Sequence, residues 1–82
     1  MTNASLWDSK KGKNYIIKSV LLEDILSRRL QALGINEGTV LSIVTKKRSG
    51  AMVVRVRGTR LALGRHISEH IEVKETEEDG KA

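Results

Sequence analysis

Two histidines near the C-terminal end of the chain stand one helical turn apart. His66 and His70 are separated by four residues, and Glu69 and Glu72 lie beside them. On a helical turn this spacing puts two imidazoles on one face, where they could bind a transition metal ion with a glutamate as third ligand. Because isolated motif matches are often fortuitous, we prefer the other interpretation, surface histidines on a turn that covers one end of the fold.

Two adjacent arginines, Arg28 and Arg29, fall near the end of a predicted helix. An arginine on a helix surface could reach a carboxylate of a partner protein or a nucleotide phosphate, as in GTPase activation. A solvated helix face that complements the helix dipole is the more ordinary explanation.

A second basic group follows in the middle of the chain. Its members are Lys46, Lys47, Arg48, Arg55, Arg57 and Arg60. Strand alternation predicts that Arg55 and Arg57 share one outer face, which would make a continuous positive surface. Such a surface could meet an acidic protein, anionic lipid headgroups or nucleic acid, or could serve only solubility.

Composition limits the function classes. The 82 residues make one domain, and the absence of cysteine excludes disulfides and cysteine-based metal sites and fits a cytoplasmic location. No apolar run approaches the roughly 20 residues of a membrane span.

Trp7 and Tyr15 are the only aromatic residues, so base stacking is disfavoured and nucleic acid is a weak candidate partner. No nucleophile and base are suitably arranged, so we predict a non-enzymatic protein without a resident cofactor.

The elements that position these residues can be predicted from periodicity. A strand is expected at residues 15–20, and a helix with an apolar stripe at residues 22–33. The stripe consists of Leu22, Ile25, Leu26, Leu30 and Leu33. Gly34 followed by Ile35 predicts a Schellman stop at the end of the helix.

Three strands are then expected at residues 39–45, 52–57 and 60–64, the last two joined by a two-residue turn, Gly58-Thr59. A short helical turn at residues 65–70 and a closing strand at residues 71–73 complete the pattern. We therefore predict a mostly β fold, a small five-stranded barrel with one helix inserted after the first strand. Residues 6–74 form the domain, residues 1–5 a flexible N-terminus, and residues 75–82 a disordered acidic tail.

Several separated segments of the sequence together form a pattern that is more specific than any one of them alone. They are Leu6 with Lys11-Gly12, Ile17, the run Arg29-Leu30-Gln31-Ala32-Leu33-Gly34-Ile35, Gly38 with Val40, Val54 and Val56, Gly58, Leu61-Ala62-Leu63, and Ile71-Glu72-Val73. In order and spacing they resemble the FeoA family, small accessory proteins of bacterial ferrous iron transport with an SH3-like barrel. The family often has proline after the helix and in the central hairpin loop, whereas this chain has none.

The resemblance implies a module that binds the cytosolic part of a FeoB-type membrane transporter and modulates its GTPase. It would lie in the cytoplasm, at the inner face of the membrane when bound to that partner. The candidate partner-binding residues are Arg28, Arg29, Glu37, Lys46, Lys47, Arg48, Arg55 and Arg57. Two alternatives stay open: a nucleic-acid-binding barrel, and a metal-responsive regulatory module, since the barrel also resembles the C-terminal module of iron-dependent repressors.

Overall fold

A single antiparallel sheet organises the chain in this computed structural model, which describes residues 4–77. Its strands are β1 (Ala4–Ser5), β2 (Asn14–Val20), β3 (Val40–Lys46), β4 (Met52–Val56), β5 (Thr59–Leu63) and β6 (Ile71–Thr76), in the spatial order β1-β6-β2-β3-β4-β5. A 3₁₀ helix (Leu6–Asp8) follows β1, helix α1 (Asp24–Ala32) follows β2, and helix α2 (Arg65–Glu69) precedes β6. No helix within residues 4–77 is long and apolar enough to cross a membrane.

The predicted element order is confirmed, but the sheet has six strands and is not closed. The last strand does return to the first predicted one, with Val73 of β6 opposite Ile17 of β2. However, β1 pairs with the other edge of β6, placing Ala4 opposite Val73. Since β1 takes the position that β5 would need to close a barrel, β1 and β5 remain the two edges of an open sheet.

Both predicted boundaries with the termini shift outward. Strand β1 lies inside the segment expected to be a flexible N-terminus, and β6 extends to Thr76, beyond the expected start of the tail. Glu75 pairs there with Lys13, whose Nζ is 3.1 Å from Glu75 Oε2. The rest of the predicted tail, residues 78–82, lies outside the described residues.

The core is aliphatic, as the composition requires. Its buried members are Leu6, Tyr15, Ile17, Leu30, Ile35, Leu41, Ile43, Met52, Val54, Val56, Leu63, Ile71 and Val73. Trp7 packs against this cluster without being fully buried. Alternate residues of β4 point inward, because strand side chains alternate between the two faces of a sheet.

Helix α1 ends in the predicted Schellman motif. The Ile35 N–H donates to the Leu30 carbonyl at 2.8 Å, the Gly34 N–H donates to the Gln31 carbonyl at 3.0 Å, and Gly34 has φ +96°. The predicted apolar stripe is partly wrong, since Ile25 and Leu33 are 66% and 53% exposed. Only Leu30 of the nine-residue helix is buried, and after the stop it is Ile35 that enters the core.

The turn between β4 and β5 lies one residue earlier than predicted. Val56 pairs with Thr59, so the connecting residues are Arg57 and Gly58. Their φ angles are 51° and 81°, the left-handed combination of a type I′ turn. It replaces the type II′ turn that glycine at the first position would give, and it puts a non-glycine residue at positive φ; both turn types suit the right-handed twist of the flanking strands.

Candidate interaction surfaces

The predicted partner-binding residues do not form one surface. Lys46 pairs with Met52 at the start of β4, whereas Arg57 follows Val56 at its end. Two successive hairpin connections must lie at opposite ends of their shared strand. Lys46, Lys47 and Arg48 are therefore separated from Arg57 by the length of β4, about 16 Å at 3.3 Å per residue.

We call the first of the two surfaces the helix-end surface. It consists of Ile25, Arg28, Arg29, Leu33, Glu37 and Arg57, all of which are exposed. Ile25, Arg29 and Leu33 follow one another at intervals of four residues, which places them along one side of α1.

Arg57 joins this surface through its contact with the end of α1. A Cβ on Gly34 would lie 3.3 Å from Val56 Cγ1 and 3.8 Å from Arg57 Cδ. The absence of a side chain at Gly34 thus allows the β4–β5 turn to approach the helix, and the Arg57 side chain lies over the Schellman stop. Because Gly34 and Arg57 are far apart in the sequence, no local pattern predicts that they are in contact.

A polar cavity of about 360 Å³ adjoins the helix-end surface. It is lined by Val20, Ser27, Gln31, Ile35, Asn36 and Glu37. Glu37 is its one charged lining residue, and the amides of Gln31 and Asn36 add polar atoms. The cavity therefore offers one carboxylate together with amide groups, and no arginine among residues 4–77 lines it.

The second surface is the Trp7 end, formed by Trp7, Lys46, Lys47, Arg48 and Arg65. Lys46 Nζ lies 4.7 Å from the centroid of the indole ring and donates to the Trp7 carbonyl. Arg65 Cζ lies 5.1 Å from the same centroid. Both distances are within the range of cation–π contacts.

Arg55 belongs to neither surface. It is the penultimate residue of β4, directly opposite Arg60 of β5 and Ser42 of β3. Strand alternation ends at Val56 because Arg57 is in the turn, so alternation does not support the prediction that Arg55 and Arg57 share one outer face.

The histidines come together, but neither predicted third ligand joins them. The rings of His66 and His70 have centroids 4.7 Å apart, and His70 Nδ1–H donates to the His66 carbonyl at 2.7 Å. Glu69 accepts from Arg65 at 2.9 Å, and Glu72 accepts from Ser19 at 2.7 Å. Residues 4–77 contain no group of three or more His, Asp and Glu side chains placed to hold a metal ion.

The family model described as the FeoA domain matches residues 5–75. The chain belongs to the FeoA domain family. A protein of Methanocaldococcus jannaschii named "Putative Fe(2+) transport protein A" is 27% identical over 73 residues, which are 89% of this chain and 88% of that protein.

Solved structures confirm the SH3-like small β fold of this FeoA domain. A crystal structure described as iron uptake regulatory protein (FeoA) superposes with a TM-score of 0.83 at 19% identity, covering 92% of this chain and all of that one. A manganese-dependent transcriptional repressor gives a TM-score of 0.83 at 17% identity, covering 90% of this chain but 42% of that one. At these identities the likeness concerns the fold alone.

The sequence interpretation missed four contributors to the two surfaces of the FeoA domain, Trp7, Arg65, Leu33 and Ile25, the last of which was also assigned to the buried stripe. Trp7 and Arg65 complete the Trp7 end, although 57 residues separate them and no local pattern links them. Leu33 had been assigned to the core by its helical spacing. The only available signal was Gly34 directly after it, because a helix stop carries the preceding residue away from the buried stripe.

Proposed function

We propose that this chain is a non-enzymatic accessory protein of ferrous iron transport that acts in the cytoplasm on a FeoB-type transporter. Membership of the FeoA domain family over residues 5–75 supports the role, as does the name of the M. jannaschii relative. The transporter's cytosolic part would bind at the helix-end surface, and the complex would lie at the inner face of the membrane.

The observation that carries the docking site is a pair of exposed aliphatic side chains, one on α1 and one directly after its last residue. Ile25 and Leu33 are 66% and 53% exposed. Fully burying an aliphatic side chain is worth about 1.5–3 kcal/mol, so covering the exposed parts of these two would contribute about 1 kcal/mol each. The surrounding arginines, Arg28, Arg29 and Arg57, would add orientation and association rate through charge complementarity.

Arg28 and Arg29 also give the complex a means to alter GTP hydrolysis. Neither side chain has a hydrogen bond or ion pair among the described residues. An arginine supplied by a partner can stabilise the negative charge that develops on a transferring phosphoryl group. We include in the proposal that binding changes the GTPase rate of the transporter's cytosolic domain.

The test is a titration of the cytosolic domain of a FeoB-type transporter with the purified protein. We expect Leu33→Gln and Arg29→Glu to weaken binding by about tenfold each, the equivalent of 1.4 kcal/mol. Arg48→Glu removes a cation at the Trp7 end with the same charge change as Arg29→Glu, and it should leave the affinity unaltered. No association of the wild-type protein, or equal losses in Arg29→Glu and Arg48→Glu, would contradict the docking site.

GTP turnover in the same mixtures tests the second part separately. A changed rate that returns to the basal value with Arg28→Ala or Arg29→Ala, under saturating binding, supports a role for that guanidinium. An unchanged rate at full occupancy would leave only the binding function.

A further inference from the structure

The Trp7 end has no role in the proposed docking, yet three separate segments bring cations to it. Lys46, Lys47 and Arg48 come from the end of β3 and its loop and Arg65 from α2, and Lys10 and Lys11, in the turn after the 3₁₀ helix, add two cations to those that define this end. The acids beside them are Asp8 and Glu69, while Lys13 and Glu75 neutralise each other at 3.1 Å. Six cations against two acids leave a local charge of +4.

The loop between β3 and β4 forms a tight turn at this end. The Lys47 N–H donates to the Ala51 carbonyl at 2.7 Å, and the Gly50 N–H donates to the Lys47 carbonyl at 3.0 Å. This tight turn presents Lys47 and Arg48 as exposed tips. Trp7, Lys47 and Arg48 line neither the polar cavity described above nor the cavity between β6 and the residues after the 3₁₀ helix, whereas Asp8 and Lys10 line the latter. Lys47 and Arg48 are therefore exposed tips and not parts of either cavity.

The Trp7 indole lies among these basic side chains. Trp7 is half-buried, and its ring contacts both Lys46 and Arg65. Tryptophan flanked by basic residues is the composition found where a protein meets the headgroup level of a bilayer, because the indole is amphipathic and the cations pair with phosphates.

Two other partner classes fit less well. Nucleic acids without sequence preference bind through exposed aromatic faces, whereas the indole here already contacts two cations. Protein interfaces centre on apolar side chains. The exposed large aliphatic residues of the described chain, Leu21, Ile25 and Leu33, all belong to or flank α1 and not the Trp7 end.

We propose that the Trp7 end docks on the surface of an anionic lipid bilayer. Lys47, Arg48 and their neighbours bind headgroup phosphates, and Trp7 lies at the headgroup level. The contact is electrostatic and reversible, since each basic residue near such a surface contributes only about a fivefold gain in affinity. This proposal does not rest on the transporter, because the helix-end surface lies at the other end of β4.

The experiment is co-sedimentation of the purified protein with vesicles of phosphatidylcholine, with and without phosphatidylglycerol, at low salt. We expect binding only to vesicles that contain phosphatidylglycerol, and its loss at about 1 M salt, where the Debye length is about 3 Å. Trp7 is the only tryptophan, so its emission reports on this surface alone and should shift to the blue on binding.

Two double variants with the same change in net charge decide whether the Trp7 end is the surface involved. Lys47→Glu/Arg48→Glu should bind the anionic vesicles more than tenfold more weakly, whereas Arg28→Glu/Arg29→Glu should bind like the wild type. The latter pair should lose the transporter instead, so the two proposals fail separately. Equal binding to neutral vesicles, equal losses in both variants, an unshifted emission spectrum, or tighter binding to single-stranded RNA at the same salt would each overturn the proposal.

Discussion

Replacing Gly34 by alanine is expected to destabilise the domain by about 2 kcal/mol, through two separable effects. The first is conformational, since Gly34 has φ +96°. A left-handed L-residue costs about 1–2 kcal/mol, and the stiffer unfolded chain returns about 0.4–1 kcal/mol, so the net conformational cost is about 1 kcal/mol. The second is steric, because the new Cβ would lie 3.3 Å from Val56 Cγ1.

The steric effect should add about 1 kcal/mol, at the low end of the range for overpacking, because only a few tenths of an ångström must be gained. Val56 is 1% exposed and cannot move outward freely. Gly38 supplies the matched control, since it has φ +86° and a Cβ there would meet nothing within 4 Å. Gly38→Ala therefore isolates the conformational cost of about 1 kcal/mol.

Urea denaturation followed by far-UV circular dichroism measures both variants against the wild type. The difference between Gly34→Ala and Gly38→Ala should be about 1 kcal/mol, which in a domain of this size lowers Tm by about a further 4–8 °C. Equal losses of stability in the two variants would refute the close approach of the β4–β5 turn to α1, and with it the grouping of Arg57 with Leu33.

Two further predictions concern α2. Ser68 is fully buried and its Oγ has no hydrogen-bond partner among residues 4–77, so Ser68→Ala should leave the free energy of unfolding unchanged or raise it by about 1 kcal/mol in urea denaturation; a loss above about 1 kcal/mol would mean that the hydroxyl is bonded. Since His66 and His70 lack a third ligand among the described residues, the calorimetric titration of Fe²⁺ or Zn²⁺ should not change in the variant His66→Ala/His70→Ala. If the wild type gave a heat of binding with Fe²⁺ or Zn²⁺ and the variant did not, a metal site at His66 and His70 would be supported after all.

The parts of the fold governed by local rules were predictable. Gly34 and Ile35 announce the helix stop because only a residue without Cβ adopts the required left-handed conformation at low cost, and the hydrogen bonds from Gly34 and Ile35 confirm it. The inward positions of β4 follow from alternation and are confirmed by burial of Met52, Val54 and Val56. The predicted turn register was wrong by one residue, because types I′ and II′ both suit a hairpin and the run Arg57-Gly58-Thr59 can supply either, so the local sequence does not decide between them.

The candidate sites were less predictable, since proximity between distant segments has no local signature. Arg57 was recognised as a basic residue, but its place beside Gly34 depends on how the β4–β5 turn meets α1. Ile25 matched the helical period and is nevertheless exposed, because the small sheet covers only a narrow stripe of this short helix.

By itself, the sequence determined the order of the elements from β2 to β6, the aliphatic core and the helix stop, because propensity, period and glycine chemistry act over a few residues. The tertiary structure alone decided that the sheet stays open, that the basic residues divide between two opposite ends, and that Trp7 meets Lys46 and Arg65. These outcomes depend on strand pairing and on which connections share an end of the sheet. Strand pairing and the placement of the connections depend on how the whole core is buried, so neither can be predicted from a short stretch of sequence.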